Sequence, residues 1–256
     1  MSSETTAVVL YSGGPDSFIS LEWARRQGFA SVIPLYVNLG HRYQEQELEV
    51  VAKTEPRCRV EMAIDQLGLW EESDAHIFGR NAFLCLVAAK WLPPGKDGTV
   101  VLSVQMDETS IPDRTPEFVG AIGSLLETLR PGVVTRVMSP WWGRDKTEMV
   151  KWYLENGGDV ERLKATHSCY KPVAKRFRHA DGESYVTSET MLQCGDCPAC
   201  FRRAVAFGLN NVVEQYATDP FRTETAEEYR RRALAGEYSE QRCHRILTAM
   251  GIGWKE

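Results

Sequence analysis

At 256 residues, 43% hydrophobic and 25% charged, the chain is long enough to bury a sizeable core, as one larger α/β domain or as such a domain with an appendage. Its net charge of -5 withholds the surplus of Lys and Arg through which proteins grip a phosphate backbone, so a nucleic-acid partner is disfavoured. No run approaches the ~18 apolar residues of a membrane helix, and "MSSETTAVVLYSGG" has no basic stretch ahead of an apolar one, so a cytoplasmic protein without a membrane partner is expected.

In chain order, "AVVLY" reads as a buried strand ahead of a helix over Asp16–Gln27, with Gly28 as its stop. "SVIPLYVNL" is the next strand, and the charged "YQEQELEVVAKT" the next helix. "RVEMAI" at 59–64 is a third strand, "GRNAFLCLVAAKWL" at 79–92 an apolar helix, and "GTVVLSV" at 98–104 a fourth strand after the Pro93-Pro94-Gly95 break. "PEFVGAIGSLLETL" and "VVTRVM" add a helix and a strand. "RDKTEMVKWYLENGG" follows as a helix ended by Gly157-Gly158. Such alternation predicts a doubly wound parallel sheet with helices on both faces and ligands at the carboxyl ends of the strands. From about Ala165 the pattern changes to loops, cysteines and a basic helical C-terminus, which suggests an α/β domain over 1–164 and a smaller region over 165–256. Arg230-Arg231-Arg232 reads as a solvated helix face. Trp141 and Trp142, beside Pro140, read as core, with stacking on a purine as the other use of such rings.

Between the first strand and helix runs "SGGPDS", Ser12 to Ser17. A Ser/Gly turn at a helix start gathers backbone N–H groups at the positive end of the macrodipole, a place for an anion, and Pro15 suits the first helical turn because it has no N–H to lose. Asp16 then faces a metal ion or caps the helix. The loop lacks the lysine of a Walker A motif, and its bland reading is an ordinary tight βα turn. The seven cysteines are odd in number and sparse, which argues against a disulfide framework. Cys194, Cys197 and Cys200 are instead spaced C-x2-C-x2-C, with Cys169 upstream, and thiolates so spaced converge on a tetrahedral zinc ion; the same triplet also holds iron–sulfur clusters. Cys85, in an apolar helix, reads as core. Lys146 stands just past a strand end, where a phosphate is within reach, and Asp107 and Asp113 are loop carboxylates after a strand. His41 is an acid–base group or simply a loop histidine.

With these residues in view, the chain from Val8 to about Phe207 resembles the 7-cyano-7-deazaguanine synthases (QueC) within the PP-loop ATP pyrophosphatases. The resemblance rests on seven ordered blocks: "SGGPDS" at 12–17, "LGHRYQEQE" at 39–47, "GRN" at 79–81, "PDRTPEF" at 112–118, "DKTEMV" at 145–150, "SCY" at 168–170 and "CGDCPACFRR" at 194–203. It implies the adenine-nucleotide α-hydrolase type of doubly wound sheet, with a small zinc-binding C-terminal region. It also implies that Ser12, Gly13, Gly14, Asp16 and Ser17 bind ATP with Mg2+, and that Ser12, Asp16 and Lys146 act on the phosphates. His41, Arg42, Arg80, Asn81, Asp107, Asp113 and Phe118 match positions around the substrate, and Cys169, Cys194, Cys197 and Cys200 match the zinc ligands.

The chemistry implied is adenylation of 7-carboxy-7-deazaguanine, amidation by ammonia, and dehydration of the amide to the nitrile at the expense of a second ATP; a homodimer is the expected assembly. The chain departs from the family pattern on the substrate side. His167 replaces a tryptophan before "SCY", "PDRTPEF" replaces a "PDCRPEF"-like segment, Phe78 replaces a proline, and 24 residues rich in Lys, Arg and His separate Cys169 from Cys194. Relatives in anti-phage operons, thought to join a deazaguanine to a protein amine, make a protein substrate the alternative. An RNA-thiolating PP-loop enzyme with an iron–sulfur cluster and an inactive nucleotide-binding scaffold are the two further readings.

Overall fold

The computed structural model describes residues 5–41, 43–62, 72, 77–105, 112–171, 176–178, 184–186 and 192–252. Arg42 and Asp107, both expected near the substrate, lie outside these residues, as do the last two positions of the third strand expected at 59–64 and most of the 170–193 insertion. The described chain falls into two compact units, one of residues 1–145 and 152–166, the other of 146–151 and 167–256.

The first unit is a five-stranded parallel sheet. Its strands are β1 (Thr6–Leu10), β2 (Ser31–Asn38), β3 (Arg59–Met62), β4 (Gly98–Val101) and β5 (Thr135–Met138), in the order β3-β2-β1-β4-β5. The helices between them are α1 (Pro15–Ala24), α2 (Gln44–Thr54), α3 (Arg80–Ala89) and α4 (Pro116–Leu129), and a 3-10 turn over Pro112–Arg114 leads into α4. After β5 come α5 (Lys146–Glu155), which begins in the second unit and ends in the first, and α6 (Val160–Lys164). The expected helix over Asp16–Gln27 is shorter at its end, because Arg26 and Gln27 turn back on the carbonyls of Trp23 and Ala24 before Gly28.

Every residue of β1 is buried, as a central strand covered on both faces must be. Successive side chains point to opposite faces, and this parity sorts the core. Val8, Leu10, Leu35, Val37, Val100, Leu102 and Val137 pack with Cys85 and Ala88 of α3 and Ile122 and Leu126 of α4. Just past β4, a residue of the other parity meets α1: the Ser103 hydroxyl donates to Ser20 Oγ at 2.8 Å. Trp141, in the loop after β5, is fully buried and donates its indole N–H to the same oxygen at 2.8 Å, while Ser20 donates to the Asp16 carbonyl at 2.7 Å. One hydroxyl thereby ties the loops that follow β4 and β5 to the first turn of α1. Trp142 is half-buried and packs against the α3–α4 side of the core.

The second unit contains a short antiparallel hairpin in the insertion, β6 (Arg176–Arg178) and β7 (Ser184–Val186), then α7 (Pro198–Gly208), α8 (Glu224–Leu234) and α9 (Glu240–Ala249). Phe201 stacks on Tyr229 at 4.6 Å, and Phe201, Val205, Ala226, Ala233, Ile246 and Leu247 form its core. Arg230, Arg231 and Arg232 lie on the outer surface of α8, paired with Glu227, Glu228 and Glu237. Among the described residues no helix is long and apolar enough to cross a membrane.

Replacing Ser20 with Ala removes the acceptor of a fully buried indole N–H and of the Ser103 hydroxyl. The expected loss is about 1–3 kcal/mol of stability, read from the denaturant midpoint at unchanged slope. A variant as stable as the parent would show that this hydroxyl is not the tie between the loops.

Candidate functional site

The strand order reverses between β1 and β4, and the crevice at the carboxyl ends of those two strands is where an open α/β sheet binds ligands. The Ser12–Ser17 loop occupies that point. Gly13 has φ +76°, and a Cβ built on it would stand 2.8 Å from Val50 Cγ1 of α2, so both the backbone and the space exclude a side chain. Gly14 is the N-cap of α1 and Pro15 its first residue. Ser17 closes the loop on itself: its hydroxyl donates to the Gly14 carbonyl at 3.0 Å and accepts from the Ser12 N–H at 3.1 Å. Ser12 Oγ lies 3.4 Å from Ser17 Oγ, and both Ser12 and Asp16 are half-buried. The first-turn amides of α1 have no carbonyl of their own helix to reach, so the loop presents donors and a positive helix end to an anion.

The other site residues expected in this unit fall into three groups. Asn81 and Asp113 are joined to one another: the Asn81 N–H donates to Asp113 Oδ2 at 3.2 Å and its side-chain amide to the Asp113 carbonyl at 3.0 Å. Asp113 thus serves the start of α3, where Arg80 is the first helical residue. Phe118 packs half-buried against the sheet core, its N–H held by the Thr115 hydroxyl at 3.1 Å. His41, 6% exposed, follows β2 and bonds Glu47 of α2 through Nε2 at 3.0 Å. Lys146 is half-buried at the first residue of α5, within the second unit.

The sulfurs of Cys169, Cys194, Cys197 and Cys200 are all buried and lie within 4.8 Å of one another. Cys194 and Cys200 are 3.8 Å apart. Zinc–sulfur bonds of about 2.3 Å around a tetrahedral ion make each S···S edge close to that length. An iron–sulfur cluster would hold its thiolates much farther apart than a single ion does. Backbone amides already face the sulfurs: Lys171 and Cys194 donate to Cys169 Sγ at 3.2 and 3.3 Å, and Cys200 donates to Cys197 Sγ at 3.5 Å. Such donors orient and tune metal thiolates. The four thiols cannot all ionise side by side without a cation. Hydrogen bonds from Cys169 and Cys200 hold Cys197 far below the usual thiol range, those with Cys169 and Cys197 push Cys200 up, and burial takes Cys194 to about 12. A dication supplies the missing charge, so the donor set fits zinc.

Two residues that the sequence reading did not single out support this knuckle. Gly195 has φ +85°, and a Cβ on it would fall 1.9 Å from the Thr218 carbonyl oxygen, where the 216–218 segment crosses the turn. Arg203, fully buried one turn below Cys200, makes a two-pronged pair with Glu214 at 2.7 and 2.5 Å and lies 4.2 Å over Phe207; Tyr216 donates to the same carboxylate at 2.8 Å. A buried Arg in "CFRR" has no periodicity signal to separate it from the exposed arginines nearby. Its partner, 11 residues on, is set by the return of the chain.

About one zinc per chain is expected on metal analysis of protein prepared without chelator, with no visible absorption. Replacing any of the four cysteines with Ser should release the metal and lower stability, since metal binding is coupled to folding. Arg203→Met leaves Glu214 buried without its counter-charge and should cost about 3–5 kcal/mol, whereas a double replacement of Arg203 and Glu214 by apolar residues should recover much of that loss. Full zinc content and an unchanged melt in the single variant would contradict this.

The family model described as queuosine biosynthesis protein QueC matches residues 6–73 and 70–211. A protein of Pyrococcus furiosus named 7-cyano-7-deazaguanine synthase is 29% identical over 252 residues, covering 84% of this chain and 98% of that one. Proteins of the same name from Geobacter sp. and Pyrococcus horikoshii are 28% and 27% identical, covering 84% and 77% of this chain and 96% and 90% of theirs. A solved structure described as a predicted subunit of tRNA methyltransferase from Methanocaldococcus jannaschii overlaps 62% of this chain and 91% of its own at a TM-score of 0.36 and 14% identity, so the family assignment rests on sequence. The family match runs through the glycine loop, the Asn81 and Asp113 blocks and the cysteine knuckle alike, and the chain belongs to the QueC family.

Proposed function

We propose that this protein is an ATP-dependent carbon–nitrogen ligase that adenylates 7-carboxy-7-deazaguanine, amidates it with ammonia and dehydrates the amide to 7-cyano-7-deazaguanine. The observation that carries the ATP-dependent reading is the Ser12–Ser17 loop: a glycine pressed against α2, a serine that closes the turn, and a helix start at the switch point of the sheet. The product comes from the name borne by the relatives.

A heteroaryl carboxylate is a poor electrophile, and activation is the demanding step. Its oxygen attacks the α-phosphorus of ATP and pyrophosphate leaves; ammonia then displaces AMP from the acyl carbon. A second ATP activates the amide oxygen, and loss of that oxygen with AMP gives the nitrile. In this reading Gly13, Gly14 and Ser17 hold the triphosphate with backbone donors, Ser12 adds a hydroxyl, and Lys146 balances charge that grows on the departing pyrophosphate, a preorganised electrostatic role. Mg2+ on the nucleotide would neutralise phosphate charge, and Asp16 is the loop carboxylate that would face it. His41, Arg42, Arg80, Asn81, Asp107, Asp113 and Phe118 form the substrate side, residues 1–164 the nucleotide-binding domain and 165–256 the zinc-binding region, where the metal's role is structural.

A second reading keeps the adenylation but gives the acyl group to a protein amine. The insertion between Cys169 and Cys194 contains an antiparallel hairpin, and the open edges of a two-stranded ribbon can take up an extended peptide by main-chain hydrogen bonding.

Incubating the protein with Mg-ATP and 7-carboxy-7-deazaguanine, with and without ammonia, and weighing the products tests both readings. AMP and pyrophosphate are expected, with nitrile when ammonia is present; ADP as the sole nucleotide product would overturn the adenylate mechanism. Ser12→Ala, Asp16→Ala and Lys146→Ala should each lower carboxylate-driven ATP/pyrophosphate exchange ~100-fold without moving the melt.

A further inference from the structure

We propose that the corner between β2 and α2 is the amine subsite of the enzyme and that His41 takes the proton released when the amine attacks; this rests on the amidation proposed above. β2 pairs with β1 only as far as Leu35, so Tyr36–Asn38 run on beside β3 alone and rise about 10 Å above the end of β1. The overhang starts where the Tyr11 N–H, just before the glycine loop, donates to the Leu35 carbonyl at 2.8 Å. Glu47 is one helical turn from Val50, the residue against which Gly13 is pressed.

Within this corner, the buried polar atoms His41 Nδ1 and Gln44 Oε1 stand without hydrogen-bond partners among the described residues, and the Tyr36 hydroxyl faces the Glu47 carboxylate. Tyr36 is 2% and His41 6% exposed. Leaving such atoms unpaired is costly unless a ligand completes them. The tautomer follows from the one partner His41 has. A carboxylate only accepts, so Glu47 requires the hydrogen on Nε2, which leaves Nδ1 as a lone pair. Tyr43, edge-on to the imidazole at 4.4 Å, holds the ring in place.

An amine is the complement of this set. Its N–H groups match the acceptors His41 Nδ1 and Gln44 Oε1, and its own lone pair remains for the acyl carbon. In the step, that lone pair forms the C–N bond, the C–O bond to phosphate breaks, and AMP leaves with the electron pair. The surplus proton on nitrogen passes to His41 Nδ1. The imidazolium so formed faces the Glu47 carboxylate, an orienting partner that also stabilises its charge.

The test separates the two half-reactions in the full-length protein. His41→Gln should lower the rate of ammonia-dependent AMP release from the activated carboxylate ~100-fold, and carboxylate-driven ATP/pyrophosphate exchange, in which His41 only helps to seat the substrate, at least ~10-fold less. Hydroxylamine is already neutral at pH 7 and more nucleophilic, so with it in place of ammonia the loss should shrink. Glu47→Gln should show the same split at smaller size, and serves if His41→Gln does not melt cooperatively. Exchange falling as far as amine use would mean that the corner holds nucleotide or carboxylate, and equal losses with both amines would mean a structural role; either overturns this inference alone. A parent protein with no carboxylate-driven exchange would overturn the function proposed above, and this inference with it.

Discussion

The hydroxyl of Ser20 is the knot on which the ligand-binding end of the sheet depends. It accepts from the indole of Trp141 and the hydroxyl of Ser103 and donates to the Asp16 carbonyl, using its full hydrogen-bonding capacity. Parallel sheets leave their strand ends to loops, and loops are the part of an α/β fold with the least geometry of their own. Here the turn after β1 is attached through α1 to the loops after β4 and β5. On the other side it is pinned by Gly13 against Val50 of α2. Backbone amides can serve an anion only if the backbone is held, and this turn is held from both directions.

The second unit solves a different problem. A short stretch of loop and three helices has little apolar surface to bury around its cysteines, and four sulfurs gathered this closely repel one another once ionised. A metal ion would offset that repulsion, and the four-sulfur set has the chemistry to hold one. Around it, amides of Lys171, Cys194 and Cys200 point at sulfur, Gly195 lets the 216–218 segment pass over the turn, and Arg203 with Glu214 braces the helix that carries Cys200. Of the residues that differ from the family pattern, His167 and the long insertion lie next to this knuckle in sequence, while Phe78 and the 112–118 segment belong to the first unit. The glycine loop carries no such change. The chain has thus kept the loop proposed to meet the nucleotide while varying residues on the proposed substrate side.

The β2 overhang, His41 and Glu47 belong to the same unit as the glycine loop, so the groups that would activate the acyl donor and receive the amine's proton are carried by neighbouring strands. In this proposal loss of the proton falls to His41, with Glu47 facing the charge that forms.

The chain by itself determined the alternation of strand and helix, the tight glycine turn after the first strand and the gathering of four cysteines into a set that could hold a metal. Each is written in local spacing: a period of two or 3.6, a two-residue gap, a proline at a helix start. Only the tertiary structure decided that Asn81 and Asp113 hold each other, that Ser17 spends its hydroxyl closing the loop, that Trp141 is a core donor to Ser20, and that a buried arginine in "CFRR" meets Glu214. It also set His41 against Glu47 with one nitrogen left over. The physical reason is the same in every case. A polar side chain has a role only once its partner is known, and partners such as Ser20 and Trp141, far apart along the chain, are chosen by the packing of the sheet and not by any pattern in the residues between them.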